Sequence, residues 1–156
     1  MKLSKPLSDL LVPLFQALPI ENAMPELVPS KPRSQNLCEI VAKLNTDPLI
    51  QSNCLLQAGL WLYVDQLDRC HEVSQSIESS AGSLWHGIMH RREGDFWNSK
   101  YWFRKAGTTN VLASRNPAGF VDQVEQTYKN NPPELLEYQR QEWQILFEWS
   151  AQETAQ

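Results

Sequence analysis

Residues 83–105, SLWHGIMHRREGDFWNSKYWFRK, decide the fold, because they predict two helices joined by a tight turn. Apolar residues recur at helical spacing over 83–93 and again over 96–106. Gly94-Asp95 turns the chain between them. This stretch also holds two of the three histidines and three of the six tryptophans, mixed with acids, bases and an amide. We therefore expect a helical hairpin that carries a site.

The flanking sequence is also helical in pattern. Asp47-Pro48 predicts a helix start, and that helix is expected to run to about residue 64. Further helices are predicted over about 67–78, 117–129 and 133–152. No run alternates with period two for long enough to indicate a strand. The predicted fold class is all-α, with stacked antiparallel helical hairpins.

The N-terminal part has a different composition. Six of the ten prolines lie before residue 33, which leaves room for one short helix over about 7–18. Residues 19–34 are predicted to be extended, and a second short helix is predicted over about 36–45. We therefore divide the chain into a Pro-rich segment, 1–46, docked on a helical-hairpin domain, 47–156.

Composition and charge exclude some functions. The net charge of −4 and the pI of about 5.4 argue against nucleic-acid binding, which requires a basic surface. No window approaches the roughly 18 uninterrupted apolar residues of a membrane span, so no membrane partner is expected. The three cysteines, at 38, 54 and 70, lack CxxC spacing. Reduced thiols of this kind are typical of a cytoplasmic protein.

A weak internal repeat, with an offset of 28 residues from Ala58 to His86, supports stacking of similar hairpins. The second unit resembles a tetratricopeptide repeat. The matching positions are Gly87, Gly94, Asp95, Phe96, Ser99, Phe103 and Ala106. His86 and His90 stand where that repeat normally has leucine and tyrosine. The resemblance implies a helical stack of the kind that binds peptides or partner proteins.

A longer pattern resembles the signature of an uncharacterised bacterial family, His-x-x-Ser-Gln, then Trp-His-x-Ile-Met-His-Arg-Arg-Glu-x-Asp, then Lys-Tyr-Trp-Phe-Arg. In this chain these motifs begin at His71, Trp85 and Lys100. The resemblance groups His71 with the later histidines but implies no reaction.

Three side chains form one stripe on the helix predicted over 83–93. At about 100° per residue, His86, His90 and Glu93 stand at about 0°, 40° and −20° around its axis. Two histidines at i and i+4 can chelate a divalent metal such as zinc, and His71 can add a third nitrogen from the preceding helix. If the three cooperate, we expect their nitrogens within roughly 4–7 Å of one another before metal binds. The same groups could instead serve as a metal-free acid and base, or as structural histidines.

Other polar residues could bind a small molecule or an anion. Arginine guanidinium groups match phosphate and carboxylate geometry, although exposure to solvent or pairing with Glu93 and Asp95 is the simpler interpretation. The remaining candidates could orient or stack a ligand. The complete ligand-binding set is Gln75, Arg91, Arg92, Asp95, Asn98, Tyr101 and Arg104. Two hypotheses follow for this chain: a polar or metal site built from His71, His86, His90 and Glu93, or a protein–protein interaction module with structural histidines.

Overall fold

The computed structural model describes residues 1–31 and 34–153, and within these ranges it contains nine α-helices and no strand. The all-α prediction is confirmed. The helices are α1 Lys5–Ala17, α2 Gln35–Leu44, α3 Pro48–Gln51, α4 Cys54–Tyr63, α5 Leu67–Ser74, α6 Ser80–Glu93, α7 Phe96–Lys105, α8 Pro117–Thr127 and α9 Pro133–Glu153. Short 3-10 turns lie at Ile20–Asn22, Ala113–Arg115 and Tyr128–Asn130.

The hairpin of α6 and α7 forms as predicted, and its turn has a clear local cause. Gly94 has a φ of 86°, a left-handed conformation that ends α6, and Asp95 caps α7 by accepting a hydrogen bond from the Asn98 amide. The two helices pack closely because Gly87 lies against Phe103. A Cβ at position 87 would stand 3.0 Å from that ring. Ser99 donates a hydrogen bond across the interface to the Gly87 carbonyl.

The prediction of one continuous helix over residues 48–64 is wrong. The chain forms two helices there, α3 and α4, with a break between them. Asn53 is the N-cap of α4, where its side-chain oxygen accepts bonds from the amides of Leu55 and Leu56. Its amide nitrogen donates to the Ser150 carbonyl of α9. Asparagine thus starts a new helix and ties it to the far end of the chain.

The helices stack as successive antiparallel pairs. α4 packs with α5, α6 with α7, and α5 joins the two pairs by packing on α6. α8 continues the stack on α7. These contacts fit the hairpin stack expected from the sequence.

The long helix α9 crosses the stack on the side formed by α4 and α6. Trp143 is fully buried there and donates from its indole nitrogen to the Gly59 carbonyl. Phe147 lies stacked against Trp143, and Trp85 of α6 donates to the Ser150 hydroxyl. α9 is therefore held by apolar burial and by directional bonds to two helices.

The N-terminal segment contributes to the same core. α1 packs on α2, and its buried leucines belong to the main cluster together with residues of α4 and α6. The Tyr63 hydroxyl donates to the Leu18 carbonyl just after α1. The segment predicted to be extended, 19–34, contains the turn at Ile20–Asn22, while positions 32 and 33 lie outside the described residues. Among the described helices, none has both the length and the apolar character needed to cross a bilayer.

Candidate histidine cluster

The three histidines of the chain meet where α5 packs on α6. His71 comes from the last turn of α5, whereas His86 and His90 lie one turn apart on α6. Their ring centroids are 4.6 Å apart for His71 and His86, 4.7 Å for His86 and His90, and 5.5 Å for His71 and His90. One nitrogen from each ring lies within 4.8 Å of the other two. The predicted approach of His71 to the stripe is confirmed.

The cluster lies at the edge of the core. His86 and His90 are only 2% and 6% exposed, while His71 is half-buried. Burial disfavours the charged form of an imidazole. Desolvation, together with His90 and His71, lowers the pKa of His86 to about 3, with Lys105 adding to the effect. His86 is therefore neutral at physiological pH, the form that binds metals.

The ring of His86 is fixed on two sides. Its Nδ1 lies 3.2 Å from the Ser74 hydroxyl of α5. On the other side the Trp102 ring of α7 stacks on it, with centroids 3.9 Å apart. Lys105 in turn lies over Trp102, with its ammonium 4.3 Å from the ring centroid. The layered contacts restrict the orientation of the imidazole.

His90 is held by a carboxylate. Its Nδ1 lies 2.6 Å from Oε1 of Glu93, three residues further along α6. One potential metal-ligating atom from each of His90, Glu93 and Asp95 also lies within 4.8 Å of the other two. Asp95, however, is already engaged, since its two oxygens accept bonds from the Asn98 amide and side chain. Glu93 is therefore the carboxylate that orients His90, and Asp95 is mainly the cap of α7.

The cluster borders a surface depression of about 460 Å³ lined by Asp68, His71, Glu72 and Glu93. Three of these four side chains are carboxylates and the fourth belongs to the cluster. Solvent therefore approaches the imidazoles across an acidic rim.

The prediction that Arg91 and Arg92 are solvated or paired with Glu93 and Asp95 is wrong. Both arginines are fully buried. Arg91 forms a two-pronged ion pair with Glu142 of α9, at 3.1 and 2.5 Å, and Arg92 lies 2.5 Å from Asp65. Because both guanidinium groups are occupied inside the fold, they are not placed to bind an anion from solvent. They join α6 to its neighbours instead.

The other candidate ligand residues lie apart from the imidazoles or have structural contacts. Gln75 is exposed at the C-cap of α5, and Asn98 bonds to Asp95. Tyr101 is 43% exposed and stacks on Trp97. Arg104 lines a different depression, of about 510 Å³, together with residues that precede α8.

Several contacts of the cluster were not predicted. Ser74 stands three residues after His71, so helical spacing alone could have placed it beside the site. The contact of Trp102 with His86 depends on how α7 folds back on α6. The pairing of Arg91 with Glu142 spans 51 residues and has no local signal.

Comparisons with protein families, with curated proteins and with solved structures give no match to this chain. The resemblances to the tetratricopeptide repeat and to the bacterial signature therefore stay predictions.

Proposed function

We propose that this protein binds one divalent transition-metal ion, of which zinc is the best fit, through His71, His86 and His90. The observation that carries the proposal is the convergence of three imidazole nitrogens within 4.8 Å of one another. Zn–N bonds of about 2.0–2.1 Å at tetrahedral angles put ligand nitrogens about 3.3 Å apart. Small rotations of the side chains would close the difference.

The hydrogen bonds around the cluster support Nε2 as the coordinating atom of His86 and His90. Ser74 contacts Nδ1 of His86, and Glu93 contacts Nδ1 of His90. An Nδ1–H that donates to an oxygen leaves Nε2 with its lone pair free for a metal. A carboxylate behind a histidine ligand is a frequent arrangement in zinc proteins, where it fixes the ring and raises its basicity. Glu93 has this positioning role in the proposal, and His90 and His86 bind through Nε2.

Three protein ligands leave the fourth position of a tetrahedral zinc for water or a small molecule. Catalytic zinc sites have this composition, whereas structural sites usually have four protein ligands. A zinc-bound water loses its proton near neutral pH and becomes a nucleophile. The proposed centre is therefore suited to activate water or to bind a small-molecule ligand.

The alternative hypothesis, an interaction module with structural histidines, has less support. In an open stack, the side formed by α4 and α6 would be available to a partner, but here α9 covers it with Trp143 and Phe147. The charges also favour a cation over an anion, because Asp68, Glu72 and Glu93 line the approach. Both observations support the metal-site proposal.

The test is the zinc content of protein purified without chelators and then dialysed against micromolar zinc. We expect about one zinc per chain by elemental analysis, since the donors form one site. His71→Ala and His90→Ala should each lose most of it while circular dichroism remains that of the wild type. Gln75→Ala, an exposed change one turn after His71, is the matched control and should retain the metal. Wild-type protein without zinc, or histidine variants that bind as much as the control, would overturn the proposal.

A further inference from the structure

We infer that the ligand of this centre is a small organic cation, held by its positive end in the acidic depression while another group reaches the metal. The inference rests on the proposed metal site and adds the charge of the molecule that it accepts. It depends on which side of the histidine cluster is open and on which charges lie there.

Packing closes most of the surroundings of the cluster. Trp102 covers one face of His86, and both His86 and His90 are almost fully buried. His71 is the half-buried member, and it also lines the depression of about 460 Å³. The side chain of Glu93, next to His90, is 36% exposed on the same side. A ligand that enters from solvent would therefore reach a metal held by the three histidines through this depression.

Three of the four described residues that line the depression are acidic. Asp68 and Glu72 lie on α5 on either side of His71 in sequence, and Glu93 faces them from α6. Two neighbouring cations are stacked on aromatic rings, Arg69 on Trp61 and Lys105 on Trp102. Lys31 lines a separate depression with Asp68. Three carboxylates at the entrance favour a ligand that presents a positive charge there.

The volume of the depression limits the size of the ligand. A depression of about 460 Å³ lies within the range of about 300–1,000 Å³ that is usual for small-molecule sites. A primary amine or guanidinium group a few carbons from a metal-binding group would place its charge among Asp68 and Glu72. The expected ligand is thus a short molecule that carries an amine and an oxygen-containing group that binds the metal.

The experiment uses zinc-loaded protein and three hydroxamic acids with the same metal-binding head and five-carbon chains ending in ammonium, hydroxyl or carboxylate. Because one exposed ion pair contributes about 0.2–1 kcal/mol, we expect the ammonium compound to bind about 1.4-fold to fivefold more tightly than the hydroxyl compound. The carboxylate compound should bind more weakly than both. Raising the salt concentration should reduce the difference, since the carboxylates are near solvent.

The Asp68→Asn/Glu72→Gln double variant separates this inference from the proposed function. It should retain one zinc and the affinity for the hydroxyl compound but lose the preference for ammonium. Glu39→Gln, an exposed change on α2, is the control and should leave the preference intact. Equal binding of the three compounds to zinc-loaded wild type, or no binding of any, would overturn the inference and leave the metal site standing. Failure to load zinc at all would overturn the metal-site proposal and this inference with it.

Discussion

The ion pair between Arg91 and Glu142 joins α6 to α9, and its loss should be costly. The side chains are 0% and 1% exposed, and two hydrogen bonds of 3.1 and 2.5 Å connect them. Glu142→Gln keeps the shape of the side chain but leaves the Arg91 charge without its counterion. Removing one partner of a buried pair costs about 3–5 kcal/mol. For a chain of this size that corresponds to a drop in melting temperature of about 6–20 °C.

The assay is thermal unfolding followed by circular dichroism, checked by urea unfolding at 25 °C. Glu137→Gln, an exposed change on the same helix, controls for the loss of a charge and should melt within about 2 °C of the wild type. The double variant Arg91→Met/Glu142→Leu should recover most of the loss, because an apolar pair does not require the desolvated charges. If Glu142→Gln melts like Glu137→Gln, the ion pair does not hold α9 on the stack.

Three further predictions concern packing and ionisation. Gly59→Ala should lower the free energy of unfolding by about 1–3 kcal/mol, because its Cβ would stand 2.8 Å from Phe147; an unchanged urea midpoint would contradict the close packing of α9. Burial raises the pKa of Cys70 to about 12. Iodoacetamide at pH 8.5 should therefore modify Cys70 at least about 100-fold more slowly than the exposed Cys54, as measured by peptide mapping. Equal rates of modification would show that Cys70 is accessible. The pKa of His86 is lowered to about 3. Between pH 6.5 and 3 the unfolded chain therefore binds a proton at His86 that the folded chain does not. In chelator-treated protein we expect the free energy of unfolding to fall with pH in this window, by up to about 1.4 kcal/mol per pH unit. His86→Gln should show a correspondingly shallower slope between pH 6.5 and 5, and identical slopes would contradict the assigned shift.

Much of the fold could be predicted because its signals are local. Gly94 and Asp95 determine the turn between α6 and α7 by a left-handed glycine and a helix cap, and both features are readable in the sequence. The meeting of His71 with His86 and His90 also followed from local rules, since antiparallel neighbours bring adjacent helix ends together.

The errors have a different physical origin. Asn53 looked like an interior position of a long helix, but its capping bonds and its bond to Ser150 favour a break there. Arg91 looked like a surface arginine with acidic neighbours in sequence, and its real partner lies on α9. Both errors depend on where a distant helix packs, which helical periodicity does not specify.

X-ray absorption spectroscopy at the zinc edge of zinc-loaded protein is the decisive test of the three-imidazole metal centre. We expect a four-coordinate zinc with only nitrogen and oxygen neighbours at about 2.0–2.1 Å and with the outer-shell scattering of three imidazole rings. His71→Ala should reduce the imidazole number to two or abolish loading. A spectrum with sulfur neighbours at about 2.3 Å, or one with six oxygen neighbours and no imidazole scattering, would contradict the account.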